Sequence, residues 1–216
     1  MKKNFDKKNK MKIEEKQKEI ERFNRRITAC KTCRLSLTRN NVLCGEGRAD
    51  AQFLLVALSP GTEEDLHNKM FIGPSGRVLD NLFKLTGIVR QSFYMTNLVK
   101  CMLPKNRRPK MDEIKSCSYF LDKEIAIIRP RLIVTLGYYA SRYILEKFHA
   151  NPPPARNDFG DLYGNLIFSK NQKILPLPHP ASLLYNPSFE YETIKKYEKL
   201  HSLLTEIESV LNSSCH

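Results

Sequence analysis

The chain has 216 residues, 41% of them hydrophobic, which suits one globular domain with a sizeable core and argues against disorder. Lys and Arg number 36 against 23 Asp and Glu, a formal net charge of +13. That surplus favours a polyanionic partner, nucleic acid before an anionic membrane surface, although a merely lysine-rich surface gives the same composition. No run of about 18 apolar residues occurs, so a membrane-spanning helix is excluded. The opening MKKNFDKKNKMKIEEKQK is charged and lacks the apolar core of a secretory signal. An intracellular, cytoplasmic location is expected, where structural disulfides do not persist. Six cysteines then call for metal binding or catalysis.

Residues 1–26 hold eleven Lys/Arg and five Asp/Glu, with Ile13, Ile20 and Phe23 at helical spacing. A basic, polar N-terminal helical extension is predicted there, ahead of a single domain over 27–216. Phe53–Leu58 is a continuous apolar run, as in a strand covered on both faces. Residues 75–86 place Val78, Leu79, Leu82, Phe83 and Leu85 on one helical side, closed by Gly87. Phe93–Val99 reads as a second strand. The next helix, 111–128, turns Ile114, Cys117, Phe120, Leu121, Ile125 and Ile128 inward and stops before Pro130. Leu132–Gly137 is a third strand, followed by a helix to about Phe148 and a Pro/Asn-rich loop from Asn151 to Asp161. Leu162–Ser169 and Ile174–Leu177 complete the strands. A long helix ends the chain, burying Tyr191, Ile194, Tyr197, Leu200, Leu204, Ile207 and Leu211.

Strands alternating with helices predict an α/β fold: a three-layer α/β/α sandwich around a central, mostly parallel four-stranded sheet. Ligands of such sheets bind beyond the carboxyl ends of the strands. Ser59-Pro60-Gly61 follows the first strand, Asn97 closes the second, and His179-Pro180 follows the last. One crevice is expected to collect all three.

Cys30 and Cys33 form a C-x-x-C, and Cys101 and Cys117 are the other candidate pair. Four thiolates suit a tetrahedral zinc or an iron–sulfur cluster. The second C-x-x-C of a zinc ribbon is missing. Spacing alone leaves zinc, a cluster and two unrelated thiol pairs open. Cys44 and Cys215 are left over.

Three further constellations complete the pattern. They are Ala57-Leu58-Ser59-Pro60-Gly61-Thr62-Glu63-Glu64-Asp65 with Phe71-Ile72-Gly73-Pro74-Ser75-Gly76; Thr96-Asn97-Leu98-Val99-Lys100-Cys101 running into Pro104-Lys105-Asn106-Arg107-Arg108-Pro109; and His179-Pro180-Ala181-Ser182-Leu183-Leu184-Tyr185-Asn186-Pro187. Together, from about Cys30 to Pro187, they resemble the family 4 uracil-DNA glycosylases of the uracil-DNA glycosylase superfamily. The resemblance implies a DNA repair enzyme that flips uracil out of DNA, single- or double-stranded, and hydrolyses its N-glycosidic bond. It implies a [4Fe–4S] cluster on Cys30, Cys33, Cys101 and Cys117, and a monomer without membrane partners. The family's first motif usually reads G-E-x-P-G, and Leu58 replaces its glutamate here. Related branches of the superfamily carry an apolar residue at that place. Ser59 stands where some branches keep an Asp or Asn that positions water.

The resemblance also implies roles. Leu58, Glu64, Phe71 and Asn97 bind the base, with Asn97 reading uracil, Phe71 stacking on it and Glu64 walling its C5 side. His179, Ser59 and Asn106 are catalytic. Lys105, Arg107 and Arg108, with Lys100 and Lys110 nearby, meet phosphates. Independently of the resemblance, Leu183, Leu184 and Tyr185 leave two readings open: one of them wedges into the space the base leaves, or all three are ordinary helix-cap packing. The alternatives are a catalytically weak or inactive DNA-binding iron–sulfur protein of the same fold, a glycosylase with shifted base preference, and a hydrolase of small N-glycosides. The basic charge weighs against the last.

Overall fold

The computed structural model describes residues 2–213, with the side chains of 2–10, 211 and 212 left undescribed. Cys215 and the side chain of Leu211 therefore lie outside the described residues. In chain order the elements are α1 (Lys2–Thr28), β1 (Phe53–Ala57), α2 (Thr62–His67), α3 (Pro74–Thr86), β2 (Phe93–Asn97), α4 (Met111–Ile128), β3 (Leu132–Leu136), α5 (Tyr138–Lys147), β4 (Ile167–Ser169), β5 (Gln172–Leu177), α6 (Ala181–Tyr185) and α7 (Glu190–Ser213). The strands form one sheet in the order β2-β1-β3-β5-β4. The expected α/β fold is present, with five strands rather than four. β3 and β5 pair in parallel, and β4 is an antiparallel edge on β5.

That fifth strand is shorter than the predicted Leu162–Ser169. A 3₁₀ turn runs over Asn157–Leu162, and Gly164 takes a left-handed φ of 85°. Its N–H donates to Pro176 O at 2.8 Å, so the segment is spent on a turn before pairing begins at Ile167. Every residue of β1, β2 and β3 is buried, which explains the unbroken apolar run of β1 and the mainly apolar β2 and β3, where Thr96, Asn97 and Thr135 are the polar members.

The chain divides into two compact units. The first comprises residues 1–54, 59–70 and 91–130; the second comprises 55–58, 71–90 and 131–216. In the first, α1 lays Ile20, Phe23 and Ile27 on α4, and Phe23 meets the rings of Tyr119 and Phe120. α4 buries all six predicted apolar residues. It also buries Glu113 and Glu124, which apolar periodicity does not flag.

Glu124 is the acceptor at the centre of a buried polar network. Lys100 Nζ donates to it, Thr96 Oγ1 donates at 2.8 Å, and Gly45 N donates to its other oxygen at 3.3 Å. Lys100 is 1% exposed. The expectation that it contacts phosphate is therefore corrected: its ammonium is enclosed beside Glu124 and cannot reach DNA. Glu113 begins α4 by accepting Lys110 N at 2.8 Å and both arms of Arg107. That bond from Arg107, reinforced by Lys110, holds the Glu113 carboxyl below the usual carboxylate range against its desolvation. α2 is fixed by Asp65, whose fully buried carboxylate accepts Asn40 N, Asn40 Nδ2 and Asn41 N at 2.9, 2.7 and 3.1 Å.

In the second unit α3 and α7 pack together, burying Leu79, Leu82, Phe83, Tyr197 and Leu200. Leu85 is exposed, contrary to prediction, because it lies about 120° around the helix from Leu79 and about 160° from Phe83. Tyr191 is also exposed, since the inward stripe of α7 starts at Thr193 and continues through Tyr197, Leu200, Leu204 and Ile207.

Lys100→Met should strand a buried carboxylate and cost about 3–5 kcal/mol, whereas Lys100→Met with Glu124→Leu should recover much of that loss. Urea denaturation of both variants checks this, and a double variant as unstable as the single one contradicts it. A depressed carboxyl contributes stability that is complete above the unfolded glutamate pKa of about 4.3 and is lost as pH falls through its folded value. Glu113→Gln should therefore lower the melting temperature at pH 7 and flatten its decline on acidification from pH 5 to 3. Parallel acid profiles for variant and wild type count against the pair.

Candidate active site

The predicted site residues fall at the ends of strands and at the turns that follow them. In the first unit, Asn97 is the last residue of β2 and is buried, with Nδ2 donating to Met70 Sδ at 3.4 Å. A buried amide keeps its orientation only if its surroundings fix it, and Met70 does so. Met70 is itself tied down, its N–H donating to Glu46 Oε1 at 2.7 Å, while Glu46 bridges to Met95 of β2. Neither Met70 nor Glu46 was legible as a support, because both contacts join distant segments.

Ser59 is half-buried at the mouth of the turn after β1, and Pro60 behind it is buried. Gly61 caps α2, and a Cβ placed there would stand 2.5 Å from Glu64 Oε2. A side chain at Gly61 would displace the carboxylate of Glu64, a residue only 7% exposed. The loop after β2 presents Lys105 and Asn106, both exposed and both with left-handed backbone, φ 55° and 52°. Two successive non-glycine residues in that region are uncommon and mark a constrained turn. Arg108 is exposed beside them, while Arg107 is occupied by Glu113.

The four cysteines also belong to the first unit. Cys101 and Cys117 are buried, Cys30 and Cys33 half-buried. Burial pushes the Cys101 thiol up, with Cys33 and Cys30 adding to the rise; it pushes Cys117 up to about 12, with Cys101 and Cys30 adding. The guanidinium of Arg39 links the two pairs, donating to Cys101 Sγ and to Cys30 O. Lys100 N donates to Cys117 Sγ at 3.2 Å and Arg39 Nη1 to Cys101 Sγ at 3.1 Å. Among the described residues no group of three or more His, Cys, Asp or Glu side chains is placed to hold a single metal ion. Four thiols with no imidazole or carboxylate among them are a donor set that suits a four-iron cluster. Cys44 lies apart, its thiol donating to Asn24 O at 3.5 Å.

In the second unit, Leu58 is half-buried at the end of β1. Phe71 is buried in the turn before α3 with φ 53°, a conformation that costs energy for an aromatic residue. Two neighbours hold it. Arg90 donates to Phe71 O at 3.3 Å and to Asp80 at 2.7 Å, with its guanidinium 6.0 Å from the ring centroid. Gly76 lets α3 pass so close that a Cβ would fall 1.9 Å from Phe71 O.

His179 follows β5 and is half-buried. Ala181 N donates to its Nδ1 at 3.1 Å. With Nδ1 accepting, the neutral imidazole carries its proton on Nε2 and is a directed donor there. Ser182 N and Oγ both donate to His179 O, at 2.9 and 2.8 Å, closing the first turn of α6 on it. Gly137, φ 79°, is the other support: its Cβ would lie 3.0 Å from His179 Cβ. The sequence offered Gly137 only as the end of a strand. α6 carries half-buried Leu183 and exposed Leu184 and Tyr185. The two leucines line a cleft of about 340 Å³ with Pro74, Arg77 and Val78 of α3.

Residues 44–202 match the uracil DNA glycosylase superfamily. A type-4 uracil-DNA glycosylase of Sulfurisphaera tokodaii is 35% identical over 185 residues, covering 85% of this chain and 84% of that protein. One from Saccharolobus solfataricus is 33% identical over 83% of each chain, and one from Archaeoglobus fulgidus is 32% identical over 83% of this chain and 90% of the relative. Strand-end asparagine and histidine, a glycine-tight turn and a thiol set thus sit in a sequence similar over more than four-fifths of its length to these enzymes, and the chain belongs to the type-4 uracil-DNA glycosylases of the uracil DNA glycosylase superfamily.

Proposed function

We propose that the protein, which as a type-4 uracil-DNA glycosylase removes uracil from DNA, selects the base with Asn97 and drives its departure with the Nε2 proton of His179. The observation that carries the catalytic part is the bond from Ala181 N to His179 Nδ1, which fixes the tautomer. The substrate is uracil-containing DNA, single- or double-stranded, and the protein acts on it as a monomer.

A base within a duplex must leave the stack before a pocket can read it. Uracil presents an acceptor at O4 and a donor at N3, and the Asn97 amide meets both, donating from Nδ2 and accepting at Oδ1. Cytosine reverses both polarities and leaves buried groups unpaired, which discriminates by about 10⁴-fold or more. Leu58 lines the pocket mouth, Phe71 stacks on the uracil ring, and Glu64 excludes a C5 methyl by steric clash and by desolvation of its carboxylate. As the C1′–N1 bond breaks, the electron pair passes into the uracil and charge gathers at O2. His179 donates to that oxygen. Water adds to the cation-like C1′, held by Ser59, and gives its proton to solvent, leaving uracil and an abasic site.

Lys105 and Arg108 meet phosphates, and Asn106 lies on the same DNA-facing loop. Arg107 shapes that loop through Glu113. Leu183, Leu184 and Tyr185 fill the space the base vacates. Cys30, Cys33, Cys101 and Cys117 hold a [4Fe–4S] cluster, whose contribution when bound is a fixed anchor for the segment between Asn97 and α4.

His179→Ala should slow single-turnover excision by about 10²–10³ with DNA affinity largely kept, because one donor aimed at developing charge is lost. Ser59→Ala should cost much less. A larger loss for Ser59→Ala reverses the account and makes water positioning dominant. Asn97→Asp places an acceptor opposite O4, so uracil should lose most of its advantage while cytosine gains some. Initial rates on U- and C-containing oligonucleotides decide this, and an unaltered uracil rate means that Asn97 does not read the base.

A further inference from the structure

Between the two constellations of the first unit, the cysteine set and the Ser59–Asp65 turn, runs a short segment that the sequence motifs leave out: Arg39-Asn40-Asn41. Arg39 is half-buried, and its guanidinium is split between two acceptors. Nη1 donates to Cys101 Sγ at 3.1 Å and Nη2 donates to the carbonyl of Cys30. One planar fork therefore touches a cysteine from each half of the thiol set, which lie 71 residues apart in sequence. The next two residues are clamped from the opposite side. Asp65 accepts Asn40 N, Asn40 Nδ2 and Asn41 N, and Asn41 Nδ2 donates to Asp65 O at 2.6 Å. Asp65 neighbours Glu64 on α2, and four hydrogen bonds to one residue leave the segment little freedom.

We infer that Arg39–Asn41 is a strap joining the cluster's cysteines to α2, and that Arg39 is a positioning residue whose guanidinium donates to the Cys101 thiolate and raises the reduction potential of the group bound there. The inference rests on the cofactor reading above. Its physical basis is general: a cation and a hydrogen bond at a ligand sulfur stabilise the more negative, reduced cluster, and such bonds are among the levers that set cluster potentials. Lysine keeps the charge but presents it as a point on a flexible stem, without the planar fork that fixes both bonds at once.

The experiment compares wild type, Arg39→Met and Arg39→Lys, all purified anaerobically as full chains. Three quantities are read: iron per chain, the midpoint of a dithionite titration followed by absorbance and electron paramagnetic resonance, and the rate of iron release to a chelator. Arg39→Met should disfavour reduction by about tenfold in the equilibrium constant, which is 59 mV for one electron, and should release iron several-fold faster. Arg39→Lys should lie between the two in both respects. If Arg39→Met does not accumulate as folded protein, Arg39→Lys carries the test, and an unshifted midpoint and release rate in it overturn the inference. Iron-loaded wild type with unchanged midpoint and release in Arg39→Met defeats the strap while leaving the cofactor reading intact. Wild type holding zinc, or no iron, defeats the cofactor reading and the strap with it.

Discussion

An ammonium and a carboxylate cannot be taken out of water singly, and in the first unit Lys100 and Glu124 are withdrawn together. Their pairing decides more than its own energy. Lys100 sits three residues after Asn97 and one before Cys101, so wherever its side chain is pinned, both follow. The residue is held at every polar position: N–H to Cys117 Sγ, C=O from Leu43 N at 2.8 Å, and Nζ to Thr96 and Glu124. A chain leaving a strand would otherwise fray. Here the four residues from Asn97 to Lys100 stay buried without ladder bonds beyond Asn97, because buried charge has replaced the ladder.

The sequence made the fold visible wherever burial is two-sided. The apolar runs of β1, β2 and β3 and the stripe of α4 needed no tertiary information. It failed where a local rule met a distant partner. Leu162–Ser169 has the apolar content of a strand, but the carbonyl of Pro176 captures Gly164 and turns the segment away. Lys100 looked like one more member of a basic run, because nothing in a linear reading points to Glu124, 24 residues on. Leu85 and Tyr191 were misplaced by a more ordinary error, an apolar residue taken as inward by type rather than by angle.

The site was legible to a different degree. The motifs nominated candidate residues, and resemblance supplied the roles proposed for them. What neither provided was the supporting layer: Met70 and Glu46 behind Asn97, Arg90 and Gly76 around Phe71, Gly137 beside His179, Arg39 between motifs and the grip of Asp65, at the end of one motif, on Asn40 and Asn41. These residues have no signature of their own. They are chosen by geometry, through donors that happen to reach and carbons that must be missing. The proton position on His179 belongs to the same layer, since a backbone amide two residues on settles a tautomer that composition cannot.

Gly76 and Gly137 share a property with consequences for altering this protein. Each stands where one more carbon would collide with the carbonyl of Phe71 or the β-carbon of His179. Clearance beside the aromatic ring and the imidazole has already been taken to its limit by deletion, and nothing smaller than glycine remains. A laboratory lineage selected for bulkier lesions therefore has no room to gain from these two positions by trimming. On the roles proposed above, the substitutions left to it are at Leu58, Glu64 and Asn97, where side-chain atoms remain to be exchanged: just past β1, in α2 and at the tip of β2.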